Sequence, residues 1–297
     1  MFDYLIRNAM LVDGTGAPAE RGDLAIQGGK IAAVGCLPHA SAAQVLDARG
    51  MYLTPGFLDI HRHADAALFR PHFGELELKQ GLTTIVNGNC GLSLAPVPAA
   101  RRPEIYGYLT PVTGLPAEEL PTQTMQAYLD AVGAAVLPLN VGMLVGGGTV
   151  RAAAAGFSPE PLDSGALHAV HRLIEQSLSG GALGVSLGLG YAPEIFYTTQ
   201  QLIDALAPLR ESGVPVTVHM RQEGAGVVEA LEEMMTVARA LRTPVHISHL
   251  KSIGKAYWGR YMPRMLEILT SAREEGLDVS CDLYPYTAGS TQLIHVL

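Results

Sequence analysis

Apolar runs alternate with amphipathic stretches along the chain from about residue 52 onwards. Seven runs have the length and β-branched content of buried strands: YLTPGFLDIH, LTTIVNG, LNVGMLVG, LGVSLGL, VPVTVHM, TPVHISHL and LDVSCDLYPY. Stretches that place apolar residues at helical spacing, such as GVVEALEEMMTVARAL, lie between the later runs. This alternation predicts parallel strands that are covered by helices.

Polar residues mark the ends of the predicted helices. Thr198 and Gln201 have the spacing of a capping box, which predicts that a helix begins at the TTQQLIDALAPLRESG stretch. Gly213 and Gly276 follow amphipathic stretches at the position where a helix commonly ends in a left-handed residue. Pro208 lies inside the first of these stretches and predicts a kink there.

The chain divides into two predicted parts at about residue 50. Residues 1–50 contain short alternating runs separated by Gly and Asp, which predict a small β-rich part. Residues 51–297 carry the seven apolar runs, with polar residues repeatedly at their C-terminal ends. A doubly wound sheet is possible, but this placement is typical of a (β/α)₈ TIM barrel, whose active site forms at that face. A closed barrel needs an eighth strand, so we expect a C-terminally truncated barrel.

Five potential metal ligands follow apolar runs at corresponding positions. His61 and His63 are two residues apart after the first run, so in an extended strand both side chains project to the same side. Cys90, His219 and His249 follow later runs. Each residue alone is more often part of the core, but together they supply the nitrogen and sulfur ligands that zinc prefers. The set therefore predicts a metal site on one rim of the barrel.

The remaining histidines and cysteines suggest no further site. His246 lies near the middle of its predicted strand, two residues before His249, and is predicted to be a core residue. Cys36 and Cys281 are predicted to pack in the interior, because unpaired cysteines are among the most buried residue types.

Composition limits the classes of partner and location. The chain has 297 residues, 48% hydrophobic and 16% charged, which suffices for a large core. A net charge of −8 without a basic cluster argues against nucleic acid and anionic membranes as partners. Charged residues at the N-terminus and the lack of a long uncharged apolar run argue against a secretory signal and a membrane span. Three widely spaced cysteines predict a reduced, cytoplasmic protein.

Six segments together resemble the N-acyl-D-amino-acid deacylases (D-aminoacylases) of the amidohydrolase superfamily: PGFLDIHRHAD, NGNCG, GALGVSLGLGYAP, VHMRQE, ISHLK and DLYPYTAGST. The resemblance extends from Tyr4 to Leu297. The DIHRHAD motif alone indicates only the superfamily, and Cys90 on the second strand is the more specific marker. Most binuclear amidohydrolases bridge their metals with a modified lysine at the end of the fourth strand, but the segment GALGVSLGLGY contains no lysine.

The resemblance implies roles for the matched residues. Cys90, His219 and His249 would bind one zinc ion tightly, whereas His61 and His63, with an aspartate from the eighth strand, would form a second, weaker site. The α-carboxylate of the substrate would be held by Tyr191, Lys251 and Ser290. The implied reaction is hydrolysis of an N-acyl-D-amino acid, a small molecule, to a carboxylate and a free D-amino acid.

The sequence departs from the family pattern in two places. Gly147 replaces a histidine that the family commonly shows in the segment LVGGGTVR, which predicts a wider or altered pocket. The sequence also ends at Leu297, before the eighth strand and before the C-terminal strands that complete the small β-sandwich part in the family. The aspartate expected as general base would lie beyond Leu297. We therefore expect the 297-residue chain to be inactive or nearly so.

Alternative functions remain open at this point. A cyclic amidase of the dihydroorotase or hydantoinase type would also use a metal-dependent barrel, although the missing lysine argues against it. A metal-binding barrel fragment without catalytic activity is a second alternative. For the substrate side chain, the C-terminal segment TQLIHVL offers only His295 as a potential cation, which favours a neutral, apolar D-amino acid. The sequence does not predict the oligomeric state.

Overall fold

The structure is a computed structural model in which residues 1–291 are described. His295 therefore lies outside the described residues. The chain forms two compact units, Met1–Phe57 and Leu58–Leu297. Among the described residues, no helix has both the length and the apolar character needed to cross a membrane.

The first unit is built on one five-stranded sheet. Its strands are β1 (Phe2–Leu11), β2 (Glu20–Gln27), β3 (Lys30–Gly35), β4 (Ala42–Asp47) and β5 (Tyr52–Leu53). The sheet order is β3-β2-β1-β4, and β5 also pairs with β1. The pairs β1–β2 and β2–β3 are antiparallel, whereas β4 and β5 run parallel to β1. The second sheet of the implied β-sandwich stays a prediction.

The strands of the second unit follow the predicted apolar runs. They are β6 (Phe57–Asp59), β7 (Leu82–Asn87), β8 (Asn140–Met143), β9 (Val145–Gly146), β10 (Val185–Gly188), β11 (Val216–His219), β12 (Val245–Ile247) and β13 (Val279–Cys281). The first run, YLTPGFLDIH, divides into β5 and β6. Pro55 between them has no backbone N–H to contribute to a ladder, which explains the interruption.

Neighbouring strands of the second unit follow chain order. The two sheets are β6-β7-β8 and β13-β12-β11-β10-β9, and the short break at Leu144 separates β8 from β9. The backbone N–H of Leu144 donates to the carbonyl oxygen of Asn87, and that of Val145 donates to the carbonyl oxygen of Gly184. These two hydrogen bonds connect the two sheets across the break. The described residues therefore provide seven barrel strands, with β8 and β9 together as the third. The predicted (β/α) barrel class is confirmed.

Helices connect successive strands. Those among the described residues are α1 (Glu75–Lys79), α2 (Arg102–Thr113), α3 (Met125–Ala134), α4 (Gly147–Ala155), α5 (Ser164–Ser179), α6 (Thr199–Ala205), α7 (Val227–Leu241) and α8 (Met262–Glu274). In the second unit, each link between successive barrel strands contains at least one helix, as a parallel sheet requires. All four residues of β10 are buried, and β11 is nearly so, whereas two of the three residues in each of β6 and β13 are exposed.

The capping signals in the sequence are largely confirmed. The Thr198 hydroxyl accepts from the N–H of Gln201, and the Gln201 side chain accepts from the N–H of Thr198, which completes the predicted capping box of α6. This helix ends at Ala205, and Pro208 lies in a separate short 3₁₀ turn rather than in a kinked helix. Gly276 has a φ of +87° just after α8, as predicted for the end of a helix.

Candidate active site

The five predicted ligands converge at the C-terminal ends of the barrel strands. They form two groups that share one thiol: His61, His63 and Cys90, and Cys90, His219 and His249. Within each group the potential ligand atoms lie within 4.8 Å of one another. The distance from Cys90 Sγ is 3.4 Å to His61 Nε2 and 3.7 Å to His249 Nε2. His219 Nδ1 lies 2.9 Å from His249 Nε2.

The turn after β7 places the shared thiol. Cys90 has a φ of +54° and is followed by Gly91 at +74°, so the chain turns sharply at this point. A Cβ on Gly188 would overlap the carbonyl oxygen of Cys90, and a Cβ on Gly146 would overlap that of Gly91. Bare backbone on two neighbouring strands therefore permits the close approach of this turn.

Burial sets the protonation of the site. It lowers the pKa of His63 and of His219 to about 3, in both cases mainly because the charged imidazolium would lose its solvation. Both rings are thus neutral near pH 7 and can offer a nitrogen lone pair. Burial also raises the pKa of the Cys90 thiol far above its ordinary value, so without a counter-ion the sulfur keeps its proton.

Asp282, directly after β13, links three parts of the site, and the sequence alone did not identify it. Its Oδ2 lies 2.9 Å from His246 Nε2 and 3.5 Å from His61 Nδ1, and its Oδ1 accepts from the backbone N–H of His249 at 2.5 Å. Burial opposes ionisation, but these hydrogen bonds hold the pKa of Asp282 well below its usual value. His246, predicted to be a core residue, lies in the middle of β12 and is partly buried, and both of its ring nitrogens have polar partners, Ser280 and Asp282.

The residues present fit a bound zinc ion. A tetrahedral zinc with ordinary Zn–S and Zn–N distances separates its sulfur and nitrogen ligands by about 3.5 Å. The two distances from Cys90 Sγ, 3.4 and 3.7 Å, agree with that value. Moreover, His63 Nδ1 is buried and has no hydrogen-bond partner among the described residues. His61 Nδ1 is likewise buried without a hydrogen-bond partner among the described residues, although it lies 3.5 Å from Asp282 Oδ2. His249 Nδ1 lies 2.8 Å from Glu223 Oε1, and such a carboxylate neighbour is usual for metal-binding histidines.

The predicted substrate-binding residues lie at different distances from this cluster. Tyr191 is beside it, with its hydroxyl 3.3 Å from His219 Nδ1 and its ring against that imidazole. Lys251 Nζ lies 3.0 Å from His249 Nδ1 and 2.5 Å from Glu223 Oε1. Ser290 is exposed, and its neighbour Thr291 hydrogen-bonds with Tyr191. The structure thus brings Tyr191 and Lys251 to the cluster. Ser290 is next to Thr291, which contacts Tyr191.

The space that Gly147 leaves is filled by a carboxyl group. A Cβ at Gly147 would overlap Glu194 Oε1, and Glu194 Oε2 accepts from the N–H of Gly188 at 2.7 Å. Glu194 is 1% exposed, and its Oε1 has no hydrogen-bond partner among the described residues. Burial raises the pKa of Glu194 to about 7, against the opposing hydrogen bond from Gly188 and the charge of Arg151. No signal in the sequence identified this buried group.

Substitution of Glu194 by Gln is expected to change how stability depends on pH. The pKa of Glu194 is about 7 in the folded chain and ordinarily 4.5, so its stabilising contribution is complete below about pH 4.5 and disappears as the pH rises through 7. The free energy of unfolding of the wild type, relative to that of Glu194→Gln, should therefore decrease by about 2–3 kcal/mol as the pH rises from about 5 to about 8. Urea unfolding of both proteins across this range measures the difference, and parallel stability profiles would contradict the expectation.

The cysteines outside the cluster differ from the sequence prediction. Cys36 and Cys281 are both exposed, whereas Cys90 is buried, so the prediction that both are interior packing residues is wrong. Each lies on or beside a short strand whose outer face is open to solvent. The lack of a lysine at the end of the fourth barrel strand is confirmed, since β10 is VSLG.

Comparison with known proteins identifies relatives over nearly the whole chain. No model of a protein family matches the sequence. Among curated proteins, three enzymes from Alcaligenes xylosoxydans xylosoxydans align with 98% of the chain. They are a D-aminoacylase (38% identity, 59% of its length), an N-acyl-D-aspartate deacylase (36%, 57%) and an N-acyl-D-glutamate deacylase (34%, 58%). The chain thus spans a little under three fifths of the length of these relatives.

Solved structures give the same result. A D-aminoacylase that defines a novel subset of amidohydrolases is 36% identical and superposes with a TM-score of 0.88. The match covers 97% of the present chain and 60% of the D-aminoacylase chain. An N-acyl-D-glutamate deacylase from Bordetella bronchiseptica is 32% identical, with a TM-score of 0.88 over 96% and 59% of the two chains. That enzyme holds zinc and a phosphonate that mimics the tetrahedral intermediate. Over the residues that it spans, the present chain belongs to the D-aminoacylase family of amidohydrolases.

Proposed function

We propose that the protein hydrolyses the amide bond of N-acyl-D-amino acids in a zinc-dependent reaction, which gives a carboxylate and a free D-amino acid. One observation carries the proposal: two groups of potential zinc ligands share Cys90 on the barrel rim of a chain that is 38% identical to a D-aminoacylase. Because the chain spans 59% of the length of that relative, we assign the activity to the whole protein that carries this sequence.

We assign a tight zinc site to Cys90, His219 and His249 and a second, weaker site to His61 and His63. The neutral imidazoles and the spacing around the thiol support this assignment. So does the local charge: the carboxylates of Glu223 and Asp282 and a Cys90 thiolate would together carry three negative charges, against one positive charge on Lys251. A divalent cation among them offsets this excess.

The chemistry follows from these positions. A zinc ion held by Cys90, His219 and His249 would supply Lewis acidity for an amide carbonyl and lower the pKa of water towards neutral pH. Lys251, with Tyr191 and Ser290, would hold the α-carboxylate and so direct the scissile amide towards the ligand cluster. Proton transfer is assigned to the aspartate expected from the eighth strand. Asp282 is not assigned to it, because its oxygens are already held by His246, His61 and the backbone of His249.

The protein is expected to release D-methionine from N-acetyl-D-methionine but not L-methionine from the L-isomer. Activity should disappear on treatment with a chelator and return with zinc. A panel of N-acetyl-D-methionine, -leucine, -glutamate and -aspartate measures the side-chain preference, for which we expect a neutral, apolar residue. A preference for the glutamate substrate would contradict that part of the proposal.

The same assay distinguishes the alternative functions. Ring opening of a hydantoin without hydrolysis of linear N-acyl-D-amino acids would indicate a cyclic amidase instead. Zinc binding without hydrolysis of either class of substrate would indicate a metal-binding module without this activity. We also place the protein in the reducing cytoplasm, because Cys36, Cys90 and Cys281 are all free thiols. An oxidised form isolated from cells would contradict that location.

A further inference from the structure

One carboxylate lies between a candidate zinc ligand and a candidate substrate ligand. Glu223 is four residues beyond His219, and its side chain is 11% exposed. Its Oε1 lies 2.8 Å from His249 Nδ1 and 2.5 Å from Lys251 Nζ. Neither the family resemblance as stated above nor the names of the relatives assign a role to this residue.

The contact with His249 decides which ring nitrogen is available to a metal. A carboxylate accepts hydrogen bonds, so Nδ1 of His249 must carry the hydrogen, and the lone pair is then on Nε2. Nε2 is the atom that faces Cys90 Sγ at 3.7 Å and His219 Nδ1 at 2.9 Å. Glu223 thus selects the form of His249 that can bind a metal shared with Cys90.

The contact with Lys251 fixes the position of its ammonium group. Lys251 Nζ also lies 3.0 Å from His249 Nδ1, but it cannot donate to a nitrogen that already carries a hydrogen. Glu223 Oε1 therefore accepts from both groups. Glu223 thus holds the ammonium group of Lys251 beside the candidate zinc ligands before any substrate binds. Its negative charge also offsets part of the positive charge that a substrate carboxylate would meet.

A purely structural role for Glu223 makes a different prediction. The backbone of Glu223 already connects the loop after β11 to the loop after β12, since its carbonyl oxygen accepts from the N–H of Ile253 at 2.7 Å. If the side chain served only to join the loops, its removal would affect stability and leave the metal affinity of the folded chain unchanged. Metal affinity is therefore the measurement that separates the two roles.

We infer that Glu223 is a positioning residue that orients His249 for zinc and holds Lys251 for the substrate carboxylate. The part that concerns Lys251 rests on the proposed function. The part that concerns His249 needs only a chain that binds zinc. The two parts are tested separately below, so the failure of one is distinguishable from the failure of the other.

The first test compares the zinc affinity of folded variants by competition with a chromophoric chelator. Glu223→Gln keeps the size and an acceptor oxygen but removes the charge, and Glu223→Ala removes both. We expect zinc affinity to fall by about 10-fold in the first and by up to about 100-fold in the second. Glu233→Gln is the matched control, because Glu233 pairs with Arg221 and contacts none of the five candidate ligands in the described structure. It should stay within about threefold of wild type.

A third variant separates the two contacts of Glu223. Lys251→Met removes the ammonium but leaves the carboxylate on His249, so zinc affinity should stay within about threefold of wild type. In the whole protein the same variant should raise KM for N-acetyl-D-methionine while the zinc content is unchanged. Unchanged zinc affinity in both Glu223 variants, with the fold intact by circular dichroism, would overturn the inference. If the wild-type protein binds zinc but hydrolyses no N-acyl-D-amino acid, the proposed function fails. The zinc affinities of the Glu223 variants relative to wild type would still test whether Glu223 orients His249.

Discussion

Replacing Cys90 with Ser is expected to lower the zinc affinity of the chain by at least about 100-fold. Positioning residues around metal sites typically contribute 10- to 100-fold, and a direct ligand shared by two groups should contribute more. Cys90 belongs to both groups of potential ligands, so its loss weakens both sites at once. A hydroxyl is a much poorer zinc ligand than a thiolate, although it occupies similar space. Zinc content after dialysis and competition with a chelator measure the effect.

Cobalt substitution gives the same experiment a spectroscopic measurement. Wild-type chain loaded with Co²⁺ should show a thiolate-to-metal charge-transfer band, and this band should be lost in Cys90→Ser. The matched controls are Cys36→Ser and Cys281→Ser, which change exposed thiols outside the two ligand groups. Both should keep the band and the zinc affinity of wild type. Retention of the band in Cys90→Ser, or its loss in Cys36→Ser, would show that the metal binds elsewhere.

Replacing Gly88 with Ala is expected to cause a large loss of stability. Gly88 has a φ of +78°, and an added Cβ would overlap the carbonyl oxygen of Leu144. That oxygen is backbone at the junction of β8 and β9, so it cannot move aside as a flexible side chain can. Overpacking costs about 1–3 kcal/mol and the left-handed conformation about 1–2 kcal/mol, so we expect about 2–5 kcal/mol in total. Urea unfolding at constant pH measures this loss.

Gly213 provides the matched control for this substitution. Its φ is +72°, close to that of Gly88, but an added Cβ would meet no atom within 4 Å. Gly213→Ala should therefore cost only the conformational part, about 1–2 kcal/mol. The difference between the two variants isolates the clash with Leu144. Equal losses in the two proteins would mean that the turn before Cys90 is not as tightly packed as its geometry indicates.

Much of the fold was predictable from the sequence because its strands carry a strong, local signal. The central barrel strands β10 and β11 are buried on both faces, so their residues form nearly continuous apolar runs, of which VSLG in β10 is an example. The capping box of α6 was equally local, since Thr198 and Gln201 are three residues apart. The division of YLTPGFLDIH between two units was not predictable from hydrophobicity, because β5 pairs with β1, more than forty residues earlier in the chain.

The five candidate ligands were also determined by the sequence alone. The C-terminal ends of parallel barrel strands meet at one rim, so a polar residue just after each apolar run must lie near the others. The spacing of His61 and His63 adds the two-residue period of a strand. These two local rules sufficed to bring together Cys90, His219 and His249 from segments up to 159 residues apart.

Only the tertiary structure decided which groups support these ligands. Glu223, Asp282 and Glu194 lie in loops or at the ends of elements, where no periodic pattern fixes the direction of a side chain, and His246, in the middle of β12, has its polar partners on the neighbouring strand and just beyond it. Their partners come from other strands: Asp282 binds His246 and the backbone of His249, and Glu223 binds His249 and Lys251. The sequence determines the candidate ligands because strand direction and burial are local properties of the chain. The supporting contacts depend on how distant loops pack against one another, which is set only when the barrel has formed.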